Sequence, residues 1–363
     1  MRKKVLIVIG TRPNIIKVTQ FRKLAEQLYP GLELRIVHTG QHSNDKMSTV
    51  FFQELKVVPD FYLELKSPTP LSQIGEIMTQ LETTLSVYKP DLLLVVGDVN
   101  STVAAAFTAN RMGVKLAHVE SGLRSDDRSM PEEINRILTD DLADYFFVTE
   151  PSGMENLVRE GKKKSNIFMV GNTMIDTLVA FDSSIRSSGI LETLRLQPGK
   201  YVLMTMHRPS NVDTREGLSK IIELISALTD RYDVVFPIHP RTANNLRNFG
   251  LMQGLEANKK VVLTEPQDYF SFQKLLLESA KVITDSGGVQ EETTFRKVPC
   301  FTLRPNTERP VTLTTGSNEL LPFDVRLICE RLFAEKKKAG IPDLWDGQST
   351  RRILEIIDKK ILV

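Results

Sequence analysis

Short β-branched runs recur along the chain, each followed by a loop and a segment with apolar positions at helical spacing. They are KVLIVI (4–9), LELRIV (32–37), LLLVVG (92–97), VKLAHV (114–119), YFFVTE (145–150) and IFMVG (167–171). Strands that alternate with helices predict a parallel, doubly wound sheet. After VGNTMIDTL and the loosely patterned stretch 182–200, the alternation restarts with YVLMTM (201–206), DVVFPI (233–238), KVVLTE (260–265), KVITDS (281–286) and VPCFTL (298–303). The pattern predicts two similar α/β units in tandem. Both open alike, with VLIVIGTRPN at 5–14 and VLMTMHRPSN at 202–211, which fits two Rossmann-like halves. The tail STRRILEIIDKKILV (349–363) is amphipathic at helical spacing and is expected to pack back on one of them. The expected domains are 1–171 with the tail 349–363, and 172–348.

Length agrees with this division, since 363 residues exceed the size at which one core keeps growing. Composition narrows the function. Forty-seven basic and 45 acidic side chains nearly cancel, and the basic residues are dispersed, so nucleic acid is not the expected partner. The KKK runs at 162–164 and 336–338 read as solvated helix ends or loops. Cys300 and Cys329 are far apart and lack ligand spacing, which argues against a disulfide framework or a zinc site. The opening MRKKVLIVIGTRPN turns polar after about six apolar residues, too few for an export signal or a bilayer span. A cytoplasmic protein with no membrane partner is expected.

In open parallel sheets, ligands gather at the carboxyl ends of strands. All five histidines fall at or just beyond such ends: His38, His42, His118, His207 and His239. One or two of them are expected to be chemical, the others structural. The segment TDSGGVQEETTF (284–295) follows a strand and enters a helix. Ser286 can cap that helix, while Gly287 and Gly288 let backbone N–H groups approach an anion at its positive end. A diphosphate fits there, although the same residues also make an ordinary capped turn. Gln290, Glu291 and Glu292 could accept hydrogen bonds from sugar hydroxyls. Neither G-x-G-x-x-G after a strand nor G-x-x-x-x-G-K-[ST] occurs, so a nicotinamide dehydrogenase and a P-loop NTPase lose their support.

Arg12 and Lys17 after the first strand, and Arg304 and Arg309 after a late one, could neutralise an anionic leaving group. Asp98 in VVGDVNST and Glu120 in HVESG stand immediately beyond buried strands, where a carboxylate is costly unless paired or used. Glu132 and Glu133 follow Pro131 at a helix start, where acids also serve to complement the helix dipole.

The motifs GTRPN, TGQH, GDVNST, HVESGLRS, MPEEINR, VGNTMID, HRPSN, DSGGVQEE and TERP, in this order over about residues 5 to 315, resemble the non-hydrolysing UDP-N-acetylglucosamine 2-epimerases. The resemblance implies a GT-B fold, two Rossmann-like domains with the active site in the interdomain cleft, usually as a homodimer. It implies interconversion of UDP-N-acetylglucosamine and UDP-N-acetylmannosamine without metal or nicotinamide, through elimination of UDP to 2-acetamidoglucal and re-addition, in the service of cell-surface polysaccharide synthesis. Inverting C2 needs a proton removed on one face and returned on the other, so at least two acid–base groups must flank the ring. By resemblance, Asp98, Glu120, Glu132 and His207 match the catalytic group, with the assignment of faces left open. Arg12 and Lys17 match the loop that approaches the sugar diphosphate. Ser286, Gly287 and Gly288 match the phosphate turn, Glu292 the ribose acceptor, Phe272 the uracil contact, and Arg309 the arginine of TERP.

Several positions depart from the family pattern. Asn14 stands where an acid is usual, Val99 replaces Thr, Val311 replaces Glu, and the loop 124–131 is short. Pro209 and Ser210 replace the Arg-Glu pair of HRREN, a segment that with Gln41, His42 and His239 helps bacterial members hold an activating second substrate molecule. A GT-B glycosyltransferase would share the fold and the nucleotide half but usually needs one base, so the several carboxylates favour the epimerase. Within that class another UDP-2-acetamido sugar is the alternative substrate.

Overall fold

The computed structural model describes residues 2–41, 51–334 and 339–362. It divides into two compact units, residues 1–180 with 343–363, and residues 181–342. His42 and the KKK run at 336–338 lie outside the described residues.

The first unit is a parallel sheet of seven strands: β1 (Lys3–Ile9), β2 (Leu32–His38), β3 (Phe61–Tyr62), β4 (Leu92–Val96), β5 (Lys115–Val119), β6 (Tyr145–Val148) and β7 (Ile167–Met169). Their order is β3-β2-β1-β4-β5-β6-β7. Every residue of β4 is buried, as expected of a strand covered by helices on both faces. Helices Pro70–Tyr88 and Asn100–Arg111 close one face over a core of Leu6, Val95, Ile77, Leu81 and Ala105. The order reverses between β1 and β4, so the loops that follow them diverge and leave room at their carboxyl ends.

The second unit repeats the plan with β8 (Tyr201–Thr205), β9 (Asp233–Pro237), β10 (Val261–Thr264), β11 (Lys281–Thr284), β12 (Cys300–Leu303) and β13 (Asn318–Leu321), in the order β10-β9-β8-β11-β12-β13. All its strand pairs are parallel as well. Here the reversal lies between β8 and β11.

The eleven strands expected from the pattern all form, within two residues or so at each end. The structure adds β3 and β13, an edge strand in each sheet. Residues 172–180 and 343–348, assigned by pattern to the second domain, belong to the first unit. The reason is a buried clamp: Asp176, on the helix Thr173–Ala180, accepts the backbone N–H groups of Ser349 (3.0 Å) and Thr350 (2.5 Å) at the start of the C-terminal helix. Trp345 is buried beside it and donates its indole N–H to Thr149 O at 3.0 Å. Gly171 has φ +87°, and a Cβ there would fall 2.1 Å from Leu344 O, so only glycine lets the returning segment pass. The tail forms the helix Ser349–Ile356 and a final turn Ile357–Ile361, burying Ile353, Leu354, Ile357 and Ile361 in the first unit. Among the described residues no helix is long and apolar enough to cross a membrane.

The docking of that tail is testable through Trp345, the only tryptophan of the chain. Ile353→Ala removes a fully buried side chain and is expected to lower stability by about 2–4 kcal/mol. The urea midpoint followed by tryptophan fluorescence should fall; an unchanged midpoint would mean the helix contributes nothing to the unit.

Candidate active site

In the first unit the site residues stand on three loops at the carboxyl edge of the sheet. After β1, Asn14 folds back: its side-chain oxygen accepts the N–H groups of Gly10 (3.1 Å) and Thr11 (3.2 Å), while its amide donates to Val96 O at 3.0 Å. This buried amide stitches the β1 loop to the end of β4. An aspartate could not make the second bond, which is a physical account of the asparagine at this position. One turn further, Lys17 is buried and its Nζ lies 2.5 Å from Glu120 Oε2. Glu120 follows β5 with φ +67°, a left-handed backbone that few side chains other than glycine adopt. A side chain beginning at Gly97 would lie within 4 Å of Lys17 Nζ, Asn14 Nδ2 and Glu120 Oε2, so these groups form one cluster.

Asp98, after β4, is paired with Arg136 and keeps 29% of its side chain exposed. Arg136 also holds Glu133 at 2.6 Å. Glu133 is buried and accepts the backbone N–H groups of Ser125 and Asp126 together with the Ser125 hydroxyl, all at 3.0–3.1 Å. Glu132, its neighbour on the first turn of the helix Pro131–Leu142, points the other way and is exposed. Helical phasing separates the two acids of this turn: Glu133 pins the loop, and Glu132, the one the family resemblance selects, is exposed.

His118 is buried without exposure, its Nδ1 2.6 Å from Asp140 and its Nε2 2.8 Å from Gly97 O. Asp140 also accepts from Gly122 N (3.0 Å) and pairs with Arg124 (2.8 Å), which in turn binds Glu160. Burial raises the pKa of Asp140, but His118 and Arg124 outweigh it and hold the carboxyl below its ordinary range. The charge concentrated between His118 and Arg136 is therefore mostly internal scaffolding under Glu120 and Asp98. His38 accepts from Gly40 N at 3.2 Å. Arg12 is partly buried 5.6 Å over the Phe51 ring, and burial lowers its pKa. Gln41 accepts from Ser101 N at 2.9 Å and Ser101 Oγ at 2.7 Å on the first turn of the helix Asn100–Arg111.

In the second unit the loops after β8 and β11 meet at Asp285, which is fully buried. Its carboxylate accepts His207 N (3.0 and 3.1 Å), Arg208 N (2.9 Å) and Asn211 Nδ2 (3.1 Å), and faces His207 Nδ1 at 2.8 Å. Burial pushes its pKa up, yet His207 and the other donors bring it below the ordinary value. His239, at the start of the helix Pro240–Asn248, lies 5.7 Å ring to ring from His207.

Ser286 precedes the helix Gly287–Arg296 and makes no side-chain capping bond. Gly287 packs closely on this pair: a Cβ would fall 2.8 Å from both Arg309 Nη1 and Glu308 Oε1, so those side-chain ends would have to shift for any larger residue. Arg309 is buried beneath this turn, paired with Glu291 at 2.8 Å and with Glu308, so its charge supports the turn from below. Arg304 is buried too and pairs with Glu308 at 3.0 Å. Gln290 accepts from Thr307 Oγ1 (2.7 Å) and Asn318 Nδ2 (3.1 Å), which ties the helix to the loop after β12 and to β13. Glu292 is buried, and its pKa is pushed up to about 7, first by burial and then by the charge of Glu291, against the pull of Gln273 and Arg296. Phe272 is half-buried on the adjoining helix Tyr269–Leu277.

Asp285, Glu133, Asp140 and Arg136 were not singled out as site residues by sequence. For Asp285 a signal existed, since it stands immediately beyond a buried strand just as Asp98 and Glu120 do.

The family model for UDP-N-acetylglucosamine 2-epimerase matches residues 25–358. The UDP-N-acetylglucosamine 2-epimerase of Methanocaldococcus jannaschii is 38% identical over 98% of both chains. The chain belongs to the UDP-N-acetylglucosamine 2-epimerase family. A crystal structure of the Methanocaldococcus jannaschii UDP-GlcNAc 2-epimerase, in complex with UDP-GlcNAc and UDP, is similar to this chain with a TM-score of 0.88, covering 98% of this chain and 99% of that one. A UDP-2,3-diacetamido-2,3-dideoxy-D-glucuronate 2-epimerase of Pseudomonas aeruginosa is 36% identical, covering 98% of this chain and 99% of that protein. The fold is of the GT-B type with two Rossmann-like units, and the chain is an epimerase, an isomerase by reaction class.

The raised pKa of Glu292 has a sign that can be checked. A carboxyl whose folded pKa exceeds its ordinary 4.5 favours the folded state fully below pH 4.5 and loses that contribution as pH rises through about 7. The shift corresponds to about 3 kcal/mol at most. Glu292→Gln, which cannot ionise, should gain stability relative to the unaltered protein between pH 4.5 and 8, measured by urea unfolding at both. A constant difference would show that Glu292 is not a strained buried acid.

Proposed function

We propose that this protein interconverts UDP-N-acetylglucosamine and UDP-N-acetylmannosamine by elimination and re-addition of UDP. The observation that carries the reading is the pair of carboxylates on successive strand ends of the first unit, Glu120 held by Lys17 at 2.5 Å and Asp98 held by Arg136. Inversion at C2 requires two acid–base groups, and these two each lie against a cation at the edge of an apolar sheet.

The reaction balances in two halves. A base removes the C2 proton; the C–H electron pair becomes the C1=C2 double bond of 2-acetamidoglucal, and the C1–O pair leaves with UDP. Re-addition returns UDP to C1 and delivers a proton to the opposite face of C2. Asp98, Glu120, Glu132 and His207 supply the acid–base groups, with the division between faces left open. C2–H is not activated by an adjacent carbonyl, so departure of UDP has to carry much of the barrier and its charge must be met by fixed donors. Ser286, Gly287 and Gly288 at the helix start, with Arg12 and Lys17, are proposed to meet the diphosphate, Glu292 the ribose and Phe272 the uracil. The reading extends to a homodimer in the cytoplasm serving cell-surface polysaccharide synthesis. Gln41 and His239 are retained as part of a second, activating site, where Pro209 and Ser210 weaken the grip on that ligand.

The relative from Pseudomonas aeruginosa supports a second substrate, since its identity of 36% is nearly that of the Methanocaldococcus jannaschii enzyme at 38%. One experiment separates the readings. In heavy water, with no acceptor, metal or nicotinamide added, UDP-N-acetylglucosamine should acquire one deuterium at C2 in both epimers, followed by NMR. Replacing Asp98, Glu120, Glu132 or His207 singly should lower turnover by about 10²-fold or more. Epimerisation without C2 deuterium would overturn the mechanism. Exchange confined to the diacetamido-glucuronate nucleotide would keep the chemistry and change the substrate.

A further inference from the structure

His207 stands just after β8 with 42% of its side chain exposed. A ring so placed, if unsupported, would rotate and divide between two tautomers, only one of which can present a given nitrogen as proton acceptor. Asp285 removes that freedom. Its Oδ1 lies 2.8 Å from His207 Nδ1, while the same carboxylate takes the backbone N–H groups of His207 and Arg208 and the amide of Asn211. The carboxyl itself is fully buried, and everything the structure sets against its oxygens is a donor. An ionised carboxylate can only accept, so the nitrogen facing it must carry the proton.

The loop after β8 does not need this last bond. Two backbone N–H groups and Asn211 already tie it to Asp285, and Asn211 also donates to Leu303 O at 3.2 Å. The bond to Nδ1 acts only on the imidazole. The tilted contact with His239 at 5.7 Å limits the ring from a second side.

We propose that Asp285 is a positioning residue that fixes His207 as the Nδ1–H tautomer, leaving Nε2 to exchange protons in the reaction. The proposal rests on the acid–base role assigned to His207 above. When Nε2 takes up a proton the ring becomes an imidazolium facing an ionised Asp285, which stabilises the added charge without accepting the proton; in the return half Nε2 gives that proton back and the neutral Nδ1–H form is restored.

The tautomer can be read without any turnover. Nitrogen-15 NMR of the histidine-labelled protein, with His207 assigned by its disappearance in His207→Gln, should show Nδ1 protonated and Nε2 unprotonated at high pH. An Nε2–H form in the unaltered protein overturns the proposal. Asp285→Asn should shift His207 toward the Nε2–H form and lower kcat by about 10²-fold or more, with UDP affinity changed by no more than about threefold. In a His207→Gln background the same substitution should cost less than about threefold further, because the two residues act as one unit. Multiplicative losses in the double variant would mark Asp285 as structural only and overturn the proposal. Failure of the epimerase reading shows separately, as absence of turnover by the unaltered protein.

Discussion

Where a doubly wound sheet reverses its strand order, two neighbouring loops diverge and their backbone N–H groups lose strand partners inside a region water does not fill. Such groups are costly to bury unless a side chain satisfies them. Both units meet this constraint with one buried polar side chain at the reversal. Asn14 joins the β1 loop to β4 in the first, and Asp285 joins the β8 loop to that of β11 in the second. The remaining site residues are placed relative to these two stitches. Lys17 lies one turn beyond Asn14, and Ser286 follows Asp285 directly.

The same logic explains the dense charge after β5. A left-handed Glu120 and a turn through Gly122 give the chain between β5 and its next helix little regular structure of its own. Asp140 and Glu133, both on the helix Pro131–Leu142, reach back to that loop, and each is balanced by an arginine. A neutral side chain would satisfy fewer donors, and an unpaired acid would be too costly at such burial. Charge in this stretch thus holds backbone through Glu133 and Asp140, while Glu120 with Lys17 and Asp98 with Arg136 stand at the strand ends themselves.

Most strands were legible because burial on both faces leaves a continuous apolar run, as in LLLVV of β4. The exceptions have physical causes. β3 is two residues long, and β13 begins with Asn318, a buried amide whose hydrogen bonds to Thr302, Gln290 and Thr312 replace the apolar residue a strand pattern looks for. The domain boundary was misplaced because Asp176 looks like an ordinary helix acid until its partners, 173 and 174 residues away, are known. Site positions were legible as strand ends, whereas partners were not. Glu132 and Glu133 differ only by helical phase, and the acids that pair with Arg309, Glu291 and Glu308, are not foretold by its motif.

In the proposed reading the second unit has to attract a diphosphate. Arg304 and Arg309 are offset by Glu308 and Glu291, so this buried quartet carries no net charge. Asp285, next in line, is itself an anion one residue before the turn. The pairs beneath the helix Gly287–Arg296 thus balance one another in formal charge. On that reading the groups beside the turn that suit phosphate are the backbone N–H groups at the helix start, the positive end of its dipole, the Ser286 hydroxyl, and Arg208, whose Nε donates to Asp285 O at 3.0 Å. The quartet supports the turn by packing Arg309 and Glu308 against Gly287, where a Cβ would displace their side-chain ends. In the proposed reading, recognition depends on where rigid donors are held, and the ion pairs contribute by holding them there.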